Sequence, residues 1–262
     1  MITLYEHPLS PYAQKVKIAL REKGVAFEPV QPGGLGAGGV AGEFARASPR
    51  AEVPVLVDDG FQLFDSTIIL EYIEDRWPKP ALLPSGAADR ARVRMIEEVM
   101  DTHFEAINWG LGEVDWFKRA EGELAETLRS KAAAQTAGFH GWLERQLGDR
   151  PWFNGQAFGW GDLVVAPLVA ASASLGNRPA AGSKLAAWLA AVLARPSVAE
   201  TVREARAFDR TASNVPDLVA KGLFKREYRD HRLEWMIKSG GLAVVLEGLA
   251  AGNIRFTPDF AS

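Results

Sequence analysis

Cysteine is absent from the 262-residue chain. That excludes disulfide staples, zinc ribbons, iron–sulfur clusters, a thiol nucleophile and dithiol redox chemistry on the chain itself. Histidine is scarce, with His7, His103, His140 and His231 the only four. None pairs with another at metal-ligand spacing, so no metal site is expected. No G-x-S-x-G elbow occurs, which removes the commonest serine-hydrolase signature. Basic excess is missing too: the net charge is −3 and neither end of the chain carries a cationic block, so no nucleic-acid partner is expected. Long apolar runs are lacking. The longest, residues 163–175, holds Pro167 and two serines and is too short to span a bilayer. Met1-Ile2-Thr3-Leu4-Tyr5 runs straight into strand-like sequence without a basic leader. The chain therefore reads as a soluble, cytoplasmic protein with no membrane partner.

What is present is ordinary for a globular protein, at 47 % apolar and 24 % charged residues, and the length suits one large domain or two small ones. The first 80 residues alternate between strand and helix signals. Ile2 and Leu4 alternate with Thr3 and Tyr5 as in a strand. Ser10 before Pro11 is a helix cap followed by a first-turn proline. Ala13, Val16 and Leu20 then fall at helical spacing, and Gly24 is a stop. Residues 25–30 read as a second strand. Val53-Pro54-Val55-Leu56-Val57 and Phe61-Gln62-Leu63-Phe64 flank Asp58-Asp59-Gly60 as a hairpin. Asp65-Ser66 caps another helix with the stripe Ile68, Ile69, Tyr72 and Ile73, ended by Pro78. A small mixed sheet with helices on its faces is predicted for residues 1–80, and the join from Pro78-Lys79-Pro80 through Pro84-Ser85-Gly86 makes residues 81–88 read as a linker. Residues 89–208 carry helical spacing throughout and predict an all-helical bundle, with the stripe Val93, Ile96, Met100, Phe104 and Ile107 at its start. Residues 209–262 form a further, mostly helical extension.

Three local features carry candidate chemistry. Ser10 places a hydroxyl at the positive end of the first helix, where it caps the helix and is also able to hold an anion or thiolate. Asp65-Ser66 poses the same alternative one helix later. Val53-Pro54 stands at a strand start; in the cis form it would turn the backbone groups of Val53 outward toward an extended peptide. A fourth feature is set aside. Gly34-Leu35-Gly36-Ala37-Gly38-Gly39 satisfies the G-x-G-x-x-G dinucleotide pattern, but it follows Pro29 and Pro32 rather than a firm strand and reads as a surface loop.

Leu4-Tyr5, Ser10-Pro11-Tyr12 and Val16-Lys17-Ile18-Ala19-Leu20-Arg21-Glu22-Lys23-Gly24 together resemble the start of a serine-type, tau-like soluble glutathione transferase. Ser48-Pro49 with Val53-Pro54-Val55-Leu56 resembles that family's proline-containing strand, and Asp65-Ser66 its acidic-residue-plus-serine pair. Phe158-Gly159-Trp160-Gly161-Asp162 and Arg195-Pro196-Ser197-Val198 resemble its buried and final helices. The resemblance covers about residues 1–208. It implies a thioredoxin-like N-terminal domain, an all-helical second domain, a homodimer and a detoxifying activity that joins glutathione to a small hydrophobic electrophile. By that resemblance Ser10 is catalytic and donates to the glutathione sulfur. Asp65 holds the α-amino group, Ser66 the γ-glutamyl carboxylate, and the backbone of Val53, before Pro54, the cysteinyl amide. Tyr12, His103 and Trp109 are candidates for the acceptor wall, and Tyr5 is a rival sulfur ligand. A non-catalytic ligand-binding or assembly protein is the alternative reading, and glutathione-dependent dehalogenation, ether cleavage or peroxide reduction a third.

Three positions depart from the family pattern. The glycine-rich loop 33–42 supplies no basic residue for the glycine end of glutathione, Glu52 stands where lysine or glutamine is common, and Gly159 replaces the usual Ser or Thr cap. Residues 209–262 lie outside the pattern altogether. Their helical stripes imply either a strap across the bundle or dimer contact, or a lid that brings Ile254-Arg255-Phe256 to the cleft.

Overall fold

The computed structural model describes residues 1–37, 39–208 and 215–257. Strand β1 (Ile2–Tyr5) leads into α1 (Pro11–Glu22), then β2 (Phe27–Val30), a short α2 (Gly42–Ala47), the hairpin β3 (Val55–Asp58) and β4 (Phe61–Phe64), and α3 (Ser66–Arg76). The sheet order is β2-β1-β3-β4, with β1 and β2 parallel and the other two pairings antiparallel. This is the thioredoxin-like arrangement expected. Period-two alternation divides the faces. Ile2, Leu4 and Leu56 pack with α1 and α3, while Tyr5, Val55 and Val57 pack with Phe44 and Ala47 of α2. The sheet strands are shorter than the sequence suggests: β2 starts at Phe27 and β3 at Val55. Pro54 cannot donate to a ladder and lies just outside β3, after a cis Val53–Pro54 bond.

The helical region comprises α4 (Ala87–Val99), a π-helical turn Met100–Phe104, α5 (Glu105–Asp115), α6 (Gly122–Leu147), α7 (Trp160–Ser174), α8 (Lys184–Leu193) and α9 (Pro196–Ala207). One buried cluster runs unbroken from β1, α1 and α3 into α4, α7, α8 and α9. Buried charges cross the same junction. Lys15 of α1 bonds Glu97 of α4 at 2.6 Å, and Glu97 also accepts from Trp160 Nε1 at 2.6 Å and from the Thr67 hydroxyl at 2.8 Å. Removing any one partner would strand the others in low dielectric, so this network fixes how the sheet sits on the bundle.

The extension is ordered over its described residues as α10 (Val215–Ala220), β5 (Arg226–Glu227), α11 (Asp230–Lys238), α12 (Leu242–Ala250) and β6 (Ile254–Arg255). The strands β5 and β6 pair in parallel, a ribbon that the helical spacing of the sequence did not announce. Trp235, Met236, Val244, Val245 and Ile254 join α5 and α6 in a second buried cluster. The closest approach is at Gly110 of α5, where an added Cβ would overlap the Trp235 indole. Gly110→Ala should lower the melting temperature, because overpacking of about 1–3 kcal/mol outweighs the ~1 kcal/mol gain in helix propensity. Gly138→Ala in α6, with open space around its Cβ, should raise it. Thermal melts of both variants check the pair, and a rise in both would mean that Trp235 does not press on α5.

Candidate functional site

Ser10 has extended backbone and ends the loop before α1; its Oγ accepts from the Ala13 N–H at 3.2 Å. The acceptor side of the hydroxyl is therefore engaged, and its proton remains free to donate. Asp65 caps α3 in the same way, accepting from Thr67 N–H at 3.1 Å with Oδ1, while Oδ2 meets Arg50 Nη1 at 3.2 Å. Its φ of 76° lies in the left-handed region that a non-glycine residue adopts only where its surroundings hold it. Ser66 follows as the first residue of α3 and is buried. Ser10, Val53, Pro54, Asp65 and Ser66 all line one cleft of about 530 Å³, so the sheet and the two helix starts bring these five together.

The opposite wall comes from α5, α7 and the extension. Trp109 is nearly buried, with its ring edge-on to Tyr228 at 4.7 Å, and Trp116 and Phe117 line the cleft beside it. Tyr12 also lines it, its hydroxyl donating to the Asp101 carbonyl at 2.7 Å, and burial pushes that phenol well above its ordinary value. Burial lifts the neighbouring Asp101 carboxyl to about 6, although Lys15 pulls it down. Glu105 moves the other way. Burial opposes its ionisation, but the Arg232 charge and hydrogen bonds from His231 and Arg232 win and hold it near 2. Arg232 Nη2 reaches Glu105 at 2.6 Å, tying α11 to α5.

Two expected residues stand elsewhere. His103 does not line the cleft; it is exposed and its Nδ1 shares a hydrogen with the Thr102 hydroxyl at 2.7 Å. A π turn crosses this stretch, with Glu105 N–H bonding Met100 O five residues back, and the stripe Val93, Ile96, Met100, Phe104 and Ile107 stays buried through it, which leaves His103 on the outer side. Tyr5 is on the α2 face of the sheet, its hydroxyl donating to Glu43 at 2.9 Å, and it is absent from the cleft. The structure also adds residues that the sequence reading passed over. Lys225, Arg226, Glu227, Arg229, His231, Arg232 and Arg255 all reach the cleft rim. For all of them but Arg255 the signal was the dense charged run 225–232, with four Lys or Arg, one His and two acids in eight residues. Of the expected lid tip, Arg255 reaches the cleft, Ile254 is buried in the second cluster and Phe256 is exposed. The extension is thus both strap and cleft wall. Among the described residues, no group of three or more His, Asp or Glu is arranged to hold a metal ion, and no single helix is long and apolar enough to cross a membrane.

The fold that carries this cleft, a thioredoxin-like sheet against a helical bundle, is matched in known proteins. Residues 4–81 match the family model for the glutathione S-transferase N-terminal domain. Glutathione S-transferase U28 of Arabidopsis thaliana is 31 % identical over 206 residues, covering 74 % of this chain and 85 % of that one. A stringent starvation protein A homolog of Coxiella burnetii is 30 % identical over 169 residues, covering 64 % and 75 %. Among solved structures, a glutathione S-transferase from Rhodospirillum rubrum F11 superposes with a TM-score of 0.66 at 28 % identity, covering 77 % of this chain and 91 % of that one. Rice GST1 in complex with glutathione gives 0.65 at 25 %, covering 79 % and 97 %. The chain belongs to the glutathione S-transferase family.

Proposed function

We propose that this protein binds glutathione in the cleft, ionises its thiol and directs the thiolate at a small hydrophobic electrophile. The observation that carries this reading is the Ser10 hydroxyl, which keeps a donor free at the N-terminus of α1 on a wall shared with Val53, Asp65 and Ser66. A free thiol of pKa about 8.5 is only a few per cent thiolate at neutral pH. A hydrogen bond from Ser10 and the positive end of α1 both favour the charged form, and a fall of about two units would make most of the bound thiol nucleophilic. The Val53 backbone pairs with the cysteinyl amide in strand fashion, while Asp65 and Ser66 hold the γ-glutamyl end. The thiolate then attacks an electrophile seated against Tyr12, Trp109, Trp116 and Phe117, and the leaving group departs with the electron pair of the broken bond.

Glutathione-dependent turnover of a simple aromatic halide by the purified protein is the test, and none at all would sink the transferase reading. Activity should survive prior treatment with a thiol alkylator, since the chain has no cysteine to block. Asp65→Asn and Ser66→Ala should each weaken glutathione binding by about 1–3 kcal/mol, the worth of a charge-assisted contact. Calorimetry showing unchanged affinity in both would leave them as helix caps. A homodimer belongs to the same reading. Phe61, Ile68 and Met95 stand exposed on β4, α3 and α4, and Arg94 joins α4 to Glu71 of α3 beside them. The relatives named as stringent starvation protein A homologs keep one alternative alive, a non-catalytic module that holds a ligand in this cleft. Under that alternative the protein binds glutathione and turns over no electrophile.

A further inference from the structure

The glycine-rich loop and Glu52 supply no cation to one end of the cleft, and Arg50, the cation of the first 80 residues that lines it, is turned to Asp65; that end is closed by the C-terminal ribbon. Lys225 N–H donates to Gly36 O at 2.7 Å, and the Phe224 ring sits where a side chain on Gly36 would be. Arg255 Nη2 reaches Glu227 at 2.9 Å and the Ala51 carbonyl at 3.5 Å, and Arg229 Nη1 lies 3.5 Å from Glu52. The ribbon thus straps two loops of the N-terminal sheet, 177 residues away in sequence at the Glu52–Arg229 contact.

Geometry decides which part of a bound peptide meets this strap. The γ-glutamyl end belongs to the start of α3 and the cysteinyl to Val53. On the Pro54 side the chain enters β3, whose two edges are already paired by β1 and β4. The third residue of the peptide must therefore run along the Ala51–Glu52 side, beneath the ribbon. We propose that the C-terminal ribbon completes the thiol-peptide half of the cleft, with Arg229, Arg255 and Lys225 forming the anion site for the terminal carboxylate of glutathione. This rests on the glutathione reading above and extends it to a segment that the family pattern leaves out.

A carboxyl pair sets the strength of that site. Glu52 and Glu227 both line this end of the cleft, Glu52 held by Arg229 and Glu227 by Arg255, and each has one buried oxygen, Oε1, with no donor. Two carboxylates so placed do not both ionise readily. Burial, then the hydrogen bond and charge of Glu52, push the Glu227 carboxyl up to about 8 against the pull of Arg255 and Arg232. The other charge at the pair is Arg229 on Glu52, while the Arg232 guanidinium is engaged by Glu105. With a proton shared, Arg229 and Arg255 face a single negative charge. Above about pH 8 the proton leaves, a second negative charge appears, and an incoming carboxylate is repelled. Affinity for the carboxylate is accordingly flat well below pH 8 and falls as the pH rises through about 8.

The test compares S-methylglutathione with its glycine ethyl ester by titration calorimetry on the full chain. Neither probe has a thiol and both share one amine, so their affinity ratio isolates the carboxylate. Wild type should prefer the free acid by about tenfold at pH 7, and the preference should decline as the pH rises through about 8. Arg229→Ala should bring the ratio within about twofold; Lys225→Ala, at an exposed position, serves as the second variant and should reduce it in part. Glu227→Gln keeps a hydrogen for Glu52 at every pH and should abolish the decline. A ratio near one in the wild type, or an unchanged ratio in both cation variants, overturns the inference while leaving glutathione binding intact. Failure of both probes to bind would instead overturn the glutathione reading, and this inference with it.

Discussion

Ser10→Ala should lower kcat/KM by about 10²-fold or more and leave glutathione affinity nearly unchanged. The loss falls on the step that needs thiolate, because the hydroxyl donates to sulfur and not to the peptide arms. The substitution also removes the cap on Ala13 N–H, which costs about 1 kcal/mol of stability and is read separately in a melt. Tyr5→Phe provides the contrast. The Tyr5 hydroxyl bonds Glu43 on the α2 face of the sheet, so its loss should leave turnover within a few-fold of wild type. Collapse of activity in Tyr5→Phe with Ser10→Ala unaffected would reverse the assignment. A pH profile adds a second reading: wild type should hold its rate down toward neutral pH, whereas Ser10→Ala should recover rate only as alkali ionises the thiol.

The largest effect on stability is expected at Asp162. Its carboxylate is fully buried at the start of α7 and accepts from four donors: Phe153 N–H at 2.8 Å, Asn154 N–H at 3.2 Å, Gly159 N–H at 3.1 Å and Trp188 Nε1 at 2.8 Å. The bond to Gly159 closes the cap that glycine cannot make with a side chain of its own. Asp162→Ala leaves those donors buried without partners, at about 1–3 kcal/mol each. Their sum is comparable with the whole stability of an ordinary domain, so little folded protein should be recovered. Asp162→Asn keeps one acceptor oxygen and should fold with a lower urea midpoint. An alanine variant within about 1 kcal/mol of wild type would show that the turn at 153–159 does not depend on this carboxylate.

The parts of the site that sequence reading found are those fixed by neighbours a few residues away. Ser10 before Pro11 and Asp65 before Ser66 announce helix starts through bonds to N–H groups only two or three residues on. Gly159 with Asp162 belongs to the same class. His103 shows where such reasoning stops. Its aromatic-rich neighbourhood suggests the acceptor wall, but the turn Met100–Phe104 keeps Met100 and Phe104 in the core and leaves His103 exposed. Tyr5 shows another limit. Alternation in β1 establishes that Tyr5 and Leu4 face opposite ways, but only the packed molecule says which face carries the cleft.

The sequence by itself determined the sheet-then-bundle order, the two capped helix starts and the proline before β3, because caps, turns and periodic burial are short-range physics. The tertiary structure alone decided three further matters: that one core runs through both parts, that the aromatic wall lacks His103, and that the charged run 225–232 lies across the cleft. Those outcomes rest on pairs such as Lys15–Glu97, Glu105–Arg232 and Glu52–Arg229, separated by tens to well over a hundred residues. Charged residues in a sequence look alike whether they face water or a distant partner. Burial makes them different, since a desolvated charge must find its counterpart wherever the fold brings one within reach.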